Sequence, residues 1–500
     1  MTAIDVLIAG AGPTGLILAC DLARRGIRCR VIDRAAGPQA GGRGFGLKPR
    51  TLEIMDDLGV ADRIAAIALD HTPIRFHLGH TELFELRVPP AAPTPRRPYP
   101  NLLSLPQWRT ESVLRDRLTE LGGQVEFDCE LVDFDQDANG VSATLRRGGA
   151  VETMRAAWLV GADGGRSTVR RRLGIAFRGR TEDDARALLA DVTVHGLADP
   201  AAVHLWMGAE GLLVIRPGSD GRCQVVAALA PQDDDAPELD TLRHLVTARS
   251  GRADIELTDP TWISVWRYNL RMAERYRVGR VLLAGDAAHV HSPFGAYGMN
   301  TGIGDAYNLG WKLAHTVRGA DPELLDTYWA ERAPIARKIL ADSDRRFAAA
   351  TPPPFIRPLV ALALKPLLRR AQIRDRADYP AYRTGPLGVE DTARGRGPAV
   401  GDSAPDCPLP DGTTLFAHLR GTHFTALVCD AAAPAAEGLE VIEIPPSTAL
   451  SAHRTFRPRS GSIILIRPDG HIGLITTDPD AVRTYLGRCG LSVAGDNDSQ

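Results

Sequence analysis

The 500-residue sequence is short of lysine. Lys48, Lys312, Lys338 and Lys365 are the only four, so arginine supplies the other 55 of 59 basic side chains. With alanine, glycine and proline abundant, that bias reads as high-GC codon usage rather than a physical requirement. The formal charge is only −2, which removes the electrostatic case for nucleic acid or an anionic membrane as partner. No apolar run approaches the ~20 residues that span a bilayer. The N-terminal "MTAIDVLIAGAGPTG" lacks a basic leader and a cleavage site, fits a buried strand better, and leads us to expect a cytoplasmic location. The seven cysteines (Cys20, Cys29, Cys129, Cys223, Cys407, Cys429 and Cys489) are scattered and form no CxxC pair. A disulfide framework, a zinc site and a dithiol redox centre are thereby disfavoured. No internal repeat is visible. The length exceeds what one core usually supports, so two or three domains are expected.

What is present begins with alternation. "IDVLIAG", "AGPTGLILACDLARRG" and "IRCRVID" read as strand, glycine turn and helix, strand: a βαβ unit on a buried parallel sheet. Gly10, Gly12 and Gly15 form a GxGxxG turn. The first allows the tight bend, the second lets a pyrophosphate approach the backbone, and the third lets helix pack on strand. The helix N-terminus then offers free N–H groups to phosphate. Asp33 ends the next strand, where a carboxylate accepts from a ribose diol. The alternative, a structural glycine turn, carries little weight in this context.

Two further segments carry chemistry. In "LVGADGGRSTVRRRLGI" (159–175) a strand runs into Asp163 and a glycine-rich turn. Asp163 sits where it can serve a cofactor, or the segment is an ordinary Asp–Gly turn capped by Ser167. In "GRVLLAGDAAHVHSPFGAYGMNTGIGDAYNLGWKLA" (279–314) a buried strand ends at Asp286, at the sheet edge where α/β ligands bind. Pro293 stiffens the loop, Gly295 and Gly298 open the backbone to a flat ligand, and a helix starts near Met299 with Ile303, Ala306, Gly310, Leu313 and Val317 on one apolar face. Its first N–H groups, at Met299 and Asn300, would face a ligand with negative charge; an ordinary helix cap is the competing reading. His289 and His291 form H-x-H without a third ligand, so no metal site is expected.

Together, "GAGPTG", "GADGGRS" and the 279–314 segment, in this order and at these separations, resemble the three fingerprints of single-component flavoprotein aromatic hydroxylases, the para-hydroxybenzoate hydroxylase-like monooxygenases. The resemblance covers about residues 1–350, and "GGRGFGLKPRTLEIMDDLGV" and "LPQWRTESVL" add to it. The tail, with "GDSAPDCPLPDGTTLFAHLRG" and "LIRPDGHIGLI", is similar to the thioredoxin-like C-terminal domain of the phenol and polyketide hydroxylase branch. Lacking CxxC, it is expected to serve packing or homodimerisation.

The resemblance implies an α/β fold: a Rossmann-like FAD-binding domain (1–74, 106–182 and 271–350) interrupted by a mostly antiparallel substrate-binding sheet (75–105 and 183–270). A helical linker (351–398) and a thioredoxin-like α/β domain (399–500) follow. It also implies extended FAD. Gly10, Gly12 and Gly15 would hold the pyrophosphate, and Asp33, where the family usually has Glu, the ribose. Arg34, Arg43 and Gln107 match positions contacting adenosine or phosphate, and Leu131 matches one touching adenine. Asp286 would take the ribityl chain, with Pro293, Gly298, Met299 and Asn300 beside the isoalloxazine, and Asp163 falls in a motif shared between FAD and NAD(P)H. The implied activity is hydroxylation of a phenolic or polycyclic, polyketide-like aromatic through a C4a-hydroperoxyflavin, consuming O₂ and NAD(P)H with NADPH favoured. Baeyer–Villiger oxygen insertion and a non-catalytic flavin scaffold stay open. A flavin halogenase is disfavoured because no W-x-W-x-I-P segment occurs. No protein nucleophile is needed, and no catalytic side chain is assigned. Candidate cavity residues on the interrupting sheet are His204, Trp206, Arg216, Gln224 and Trp266, with core packing as the alternative for each, and Tyr297 is placed to shape access to the ring.

Overall fold

Continuous burial puts Ile4–Ala9 inside a sheet: Val6, Leu7, Ile8 and Ala9 are all buried, as expected of a strand covered on both faces. The computed structural model describes residues 4–87, 89–208, 211–218, 220–230, 233, 236–291, 297–350, 380–390, 397–445 and 451–492, with backbone alone at 182–184 and 343–350. Pro293 and Gly295 lie outside the described residues. On one side Ile4–Ala9 pairs in parallel with Cys29–Ile32, which pairs with Val125–Glu126. On the other it pairs in parallel with Ala150–Gly161, which pairs with Val281–Leu283. The hairpin Cys129–Asp137/Gly140–Arg147 turns at the expected "ANG" and joins the sheet through Ala150–Gly161. The C-terminal ends of Ile4–Ala9, Ala150–Gly161 and Val281–Leu283 thus deliver Gly10, Asp163 and Asp286 to one edge.

Two helices meet at that edge. Pro13–Arg24 packs against Tyr297–Val317, and glycines on the second allow the approach. A Cβ on Gly302 would lie 2.4 Å from Thr14 Oγ1, and one on Gly310 would lie 2.2 Å from Asp21 Oδ2. Tyr297–Val317 is buried on more than the anticipated face: Trp311, Asp305, Asn308 and Lys312 are buried with Ile303, Leu309 and Leu313. Each such Leu or Ile contributes about 1.5–3 kcal/mol.

The second sheet runs in the order His289–Val290, Glu256–Ala273, Phe177–His195, Cys223–Leu229, Gly211–Pro217, Val203–Gly208, Ile74–Leu78, Thr81–Leu86. It is antiparallel except where Val203–Gly208 joins Ile74–Leu78. The third sheet runs Val389–Glu390, Ile472–Thr476, Ser462–Ile466, Phe424–Cys429, Leu439–Glu443, with parallel pairs at both edges and antiparallel pairs inside. The fold is mixed α/β with three sheets among the described residues. There, no helix is long and apolar enough to cross a membrane, and all seven cysteines are free.

A buried ionic seam joins the third sheet to the helices behind the site. Arg467 donates to both oxygens of Glu331 (2.6 and 3.0 Å) and through Nε to Asp469 Oδ1 (3.0 Å). Lys312 Nζ and Asn308 Nδ2 also donate to Glu331, at 2.7 and 2.8 Å. Burial alone would raise the Glu331 carboxyl, but Arg467 and Lys312 hold it down at about 2.

Candidate functional site

A cavity of about 980 Å³ opens between the first two sheets, at the upper end of ordinary ligand-site volumes. A second, of about 580 Å³, adjoins it, and both are walled by Arg34, Ala162, Asp163, Gly164 and Arg166. Gly10, Asp33 and Leu131 line the smaller one. Gly12, Arg34, Arg43, Gln107, Asp163, Asp286, Tyr297, Gly298 and Met299 line the larger, together with Arg216 and Trp266 from the second sheet. An elongated, two-chambered space results.

The glycine turn shows what that space accommodates. Gly10 has φ +107°, and a Cβ there would lie 2.2 Å from Ala162 O; a Cβ on Gly15 would lie 1.9 Å from Gly10 O. These two are required by the protein's own backbone. Around a Cβ on Gly12, by contrast, nothing lies within 4 Å, so that glycine faces open space at the start of the Pro13–Arg24 helix, where N–H groups lack intrahelical acceptors.

Asp33 is partly engaged. Its Oδ2 accepts from the Ala11 N–H (2.8 Å) and its Oδ1 from the Ala35 N–H (2.9 Å), leaving further lone pairs for a diol. Asp163 Oδ2 accepts from the Thr168 and Val169 N–H groups, at 2.6 and 3.2 Å, while Ser167 caps the same helix through the Arg170 N–H. These bonds are those of a capped turn. Asp163 Oδ1, however, is buried and has no partner among the described residues, an unsatisfied acceptor suited to a ligand donor. Asp286 is exposed into the cavity, and desolvation by the protein atoms around its carboxyl pushes it up against the opposing pull of His289 and Arg43.

Other anticipated residues act as scaffold. Gln107 Oε1 accepts from the Gly44 N–H (3.0 Å) and its Nε2 donates to Glu111 (2.8 Å). Asn300 Oδ1 accepts from the Lys48 N–H (2.9 Å) and the Thr51 hydroxyl (2.6 Å), and its Nδ2 donates to Gly46 O (2.9 Å). Its side chain thus ties the 46–51 segment to the helix start, and Lys48 Nζ lies 3.1 Å over the Tyr297 ring. The larger cavity is also lined by residues the sequence reading passed over: Phe45, Arg166, Arg267, Asn269 and Arg271. The spacing of two in Arg267, Asn269 and Arg271 was their only local signal.

Three anticipated cavity residues lie elsewhere. His204 and Trp206 share one face of Val203–Gly208 and are buried against His77, whose Nε2 shares a 3.0 Å hydrogen bond with His204 Nδ1. The parallel pairing with Ile74–Leu78 sets that face inward. Gln224 is buried too, donating to Gly42 O at 2.9 Å and to Asp191 at 3.3 Å. Burial, aided by His204 and nearby arginines, pushes His77 down to about 4, and burial lowers His204 as well. The unfolded chain binds protons at these rings from about pH 6.5 downward while the folded one resists, so stability should fall between about pH 6.5 and 4. Urea midpoints across that range should decline with acid, less steeply in His77→Phe; an unchanged slope in that variant would contradict the assignment.

Comparison with known proteins agrees with the geometry. The family described as FAD binding domain matches residues 3–343. A flavin-dependent monooxygenase of Mycobacteroides abscessus is 44% identical over 97% of this chain and 100% of its own length. The 6-methylpretetramide 4-monooxygenase of Streptomyces rimosus is 40% identical over 78% of this chain and 72% of its own. Among solved structures, the flavin-dependent monooxygenase PieE, in complex with FAD and substrate, superposes with a TM-score of 0.82 at 25% identity, covering 97% of this chain and 99% of that one. The glycine cradle, the open side of Gly12 and the orphaned oxygen of Asp163 fit the cofactor such relatives use, and the chain belongs to the FAD-binding family of para-hydroxybenzoate hydroxylase-like, FAD-dependent aromatic hydroxylases.

Proposed function

We propose that this protein is an NAD(P)H- and O₂-dependent monooxygenase that hydroxylates a phenolic or polycyclic aromatic substrate. The observation that carries the reading is the two-chambered cavity, with a dinucleotide turn at one end and an arginine- and aromatic-bearing sheet at the other. Relatives named for 6-methylpretetramide, pentachlorophenol and rifampicin support an aromatic, often polycyclic, substrate.

In this reading Leu131 flanks the adenine, Asp33 takes the ribose, and Gly10, Gly12 and Gly15 with Arg34 and Arg43 hold the pyrophosphate. Gln107 positions the Gly44 segment beside it. Asp163 Oδ1 and Asp286 accept from the cofactor's donors, and Pro293, Gly298, Met299 and Asn300 frame its ring. Bound FAD supplies the transfer of reducing equivalents from NAD(P)H to O₂ and the delivery of one oxygen atom to the aromatic ring. The chain itself binds, orients and excludes water. Trp266 and Tyr297 offer apolar faces to a planar substrate. Burial lowers Arg216 to about 10, leaving it still cationic at neutral pH and suited to an electron-rich oxygen. We assign residues 1–74, 106–182 and 271–350 to the FAD-binding domain, 75–105 and 183–270 to the substrate sheet, 351–398 to the linker, and 399–500 to a thioredoxin-like domain that packs rather than reacts.

The test is to incubate holoprotein with phenols, naphthoquinones and hydroxyanthraquinones while following NAD(P)H oxidation, O₂ uptake and product mass. At least one aromatic should accelerate NADPH oxidation more than NADH oxidation and gain one oxygen with its ring intact. A product with an expanded ring, or no stimulation by any compound, would refute the proposal.

A further inference from the structure

Behind Asp286, three side chains form a buried line that the cofactor assignment leaves unused. Asp305 Oδ2 lies 2.5 Å from His289 Nε2, and His289 Nδ1 lies 2.9 Å from His291 Nε2. Asp305 and His289 are fully buried. His291 lines the larger cavity, and its Nδ1 is buried with no partner among the described residues. Asp305 is fixed as the anionic end: Arg332 Nε donates to its other oxygen at 2.7 Å and the Gly285 N–H to Oδ2 at 3.2 Å. Burial opposes its ionisation, but His289 and Arg332 hold it down at about 2.

The donor pattern follows from that end. An ionised Asp305 takes the His289 Nε2–H. With His289 neutral, its Nδ1 accepts the His291 Nε2–H, and His291 Nδ1 is left as a bare acceptor. With His289 doubly protonated, its Nδ1–H points at His291 Nε2, and His291 carries its proton on Nδ1. The same heavy-atom positions hold both states, which differ by one proton delivered at the cavity end. We propose that Asp305, His289 and His291 form a proton relay in which His291 Nδ1 accepts the proton of an aromatic hydroxyl bound in the cavity. The substrate O–H bond breaks and a His291 Nδ1–H bond forms. The His291 Nε2–H proton moves to His289 Nδ1, and the positive charge rests on His289 against Asp305. No oxidant or reductant is involved. By itself His291 is a weak base, since burial lowers it well below 6.5, but the charge does not remain there. Among the described residues, the other charged and titratable groups around the line include Arg332 beyond Asp305, Asp286 and Arg43 before it, Arg271 across the strand pair, Tyr276 against His289, and Tyr328 near Asp305. His291 is the catalytic residue in this scheme, and His289 and Asp305 are positioning residues. The scheme rests on the functional reading above only for its choice of an aromatic hydroxyl.

The probe is 1,2-dihydroxyanthraquinone, whose ionised form absorbs beyond the flavin bands, titrated with pH on oxidised holoprotein. In wild type the bound dye should ionise about one pH unit or more below the free dye. In His291→Asn and in His289→Asn, with FAD content checked by absorbance, it should ionise near its free value. Free imidazole should restore the shift in His291→Gly. In turnover both Asn variants should lose about 100-fold in kcat below the substrate's own pKa and converge on wild type above it. A dye shift unchanged in His291→Asn, or a loss equal at every pH, would overturn the relay. Absence of any aromatic-stimulated NAD(P)H oxidation would refute the functional reading instead, while the dye titration would still decide the relay.

Discussion

Replacing Gly12 with valine is expected to give a folded protein that does not retain FAD. The expectation rests on the contrast within one turn. Gly10 and Gly15 are walled in by the protein's own backbone, with prospective Cβ contacts of 2.2 and 1.9 Å, so substitution there damages the fold and says little about a ligand. Gly12 has φ −72° and ψ −178°, a conformation valine adopts readily, and, its chain neighbours aside, no atom of the described residues stands within 4 Å of its prospective Cβ. As helix N-cap it makes no side-chain bond, and a Gly-to-aliphatic change at such a position costs about 1 kcal/mol. The branched side chain instead fills the space assigned to the pyrophosphate. FAD affinity should fall about 1,000-fold, or about 4 kcal/mol, while the thermal midpoint of the apoprotein stays near that of wild type. Calorimetric FAD titration and apoprotein melting together make the check. Unchanged affinity would place the cofactor elsewhere.

Arg467→Met should destabilise the protein by about 3–5 kcal/mol, because the substitution leaves buried charges without their partner. Arg467, Glu331 and Asp469 are each at most 2% exposed. In the variant Glu331 keeps only Lys312 and Asn308, and Asp469 keeps Asn308, Trp311 and His471. The seam lies directly behind the Tyr297–Val317 helix and reaches Asp305 through Arg332, which donates to Asp305 and to the Tyr382 hydroxyl. The loss should therefore appear as lower stability and weaker FAD retention together. Denaturant unfolding followed by far-UV dichroism and by flavin fluorescence should shift in parallel. Two separated transitions would show that the C-terminal sheet and the cofactor region unfold independently.

How much of this was legible in the chain depended on whether the signal was local. The strand, turn and helix of residues 4–24 follow from a short continuous apolar run, three glycines and a helix-length apolar pattern, each of which acts within a few residues. The same holds for the "ANG" hairpin and for Asp286 at a strand end. His204 and Trp206 show the limit: their spacing of two places them on one face, but which face is inward is set by Ile74–Leu78, more than a hundred residues earlier. Gln224 was taken for a cavity residue because a strand sequence does not reveal that a distant loop, at Gly42, will cover it. The apolar stripe of the Tyr297–Val317 helix was readable, whereas the polar stripe Asp305, Asn308 and Lys312 found its meaning in His289, Arg332, Glu331 and Asp469, contributed from elsewhere. Asn300 stands in the expected motif, yet its amide turns to Lys48, Thr51 and Gly46 because that segment packs over the helix start.

The most direct measurement is isotopic. Holoprotein, NADPH and a stimulating aromatic are held under ¹⁸O₂, and the product is weighed by mass spectrometry. The account predicts one ¹⁸O atom attached to an intact aromatic ring, appearing in proportion to the NADPH consumed. A product whose new oxygen derives from water would contradict it, as would NADPH consumption that yields only hydrogen peroxide with every aromatic tried.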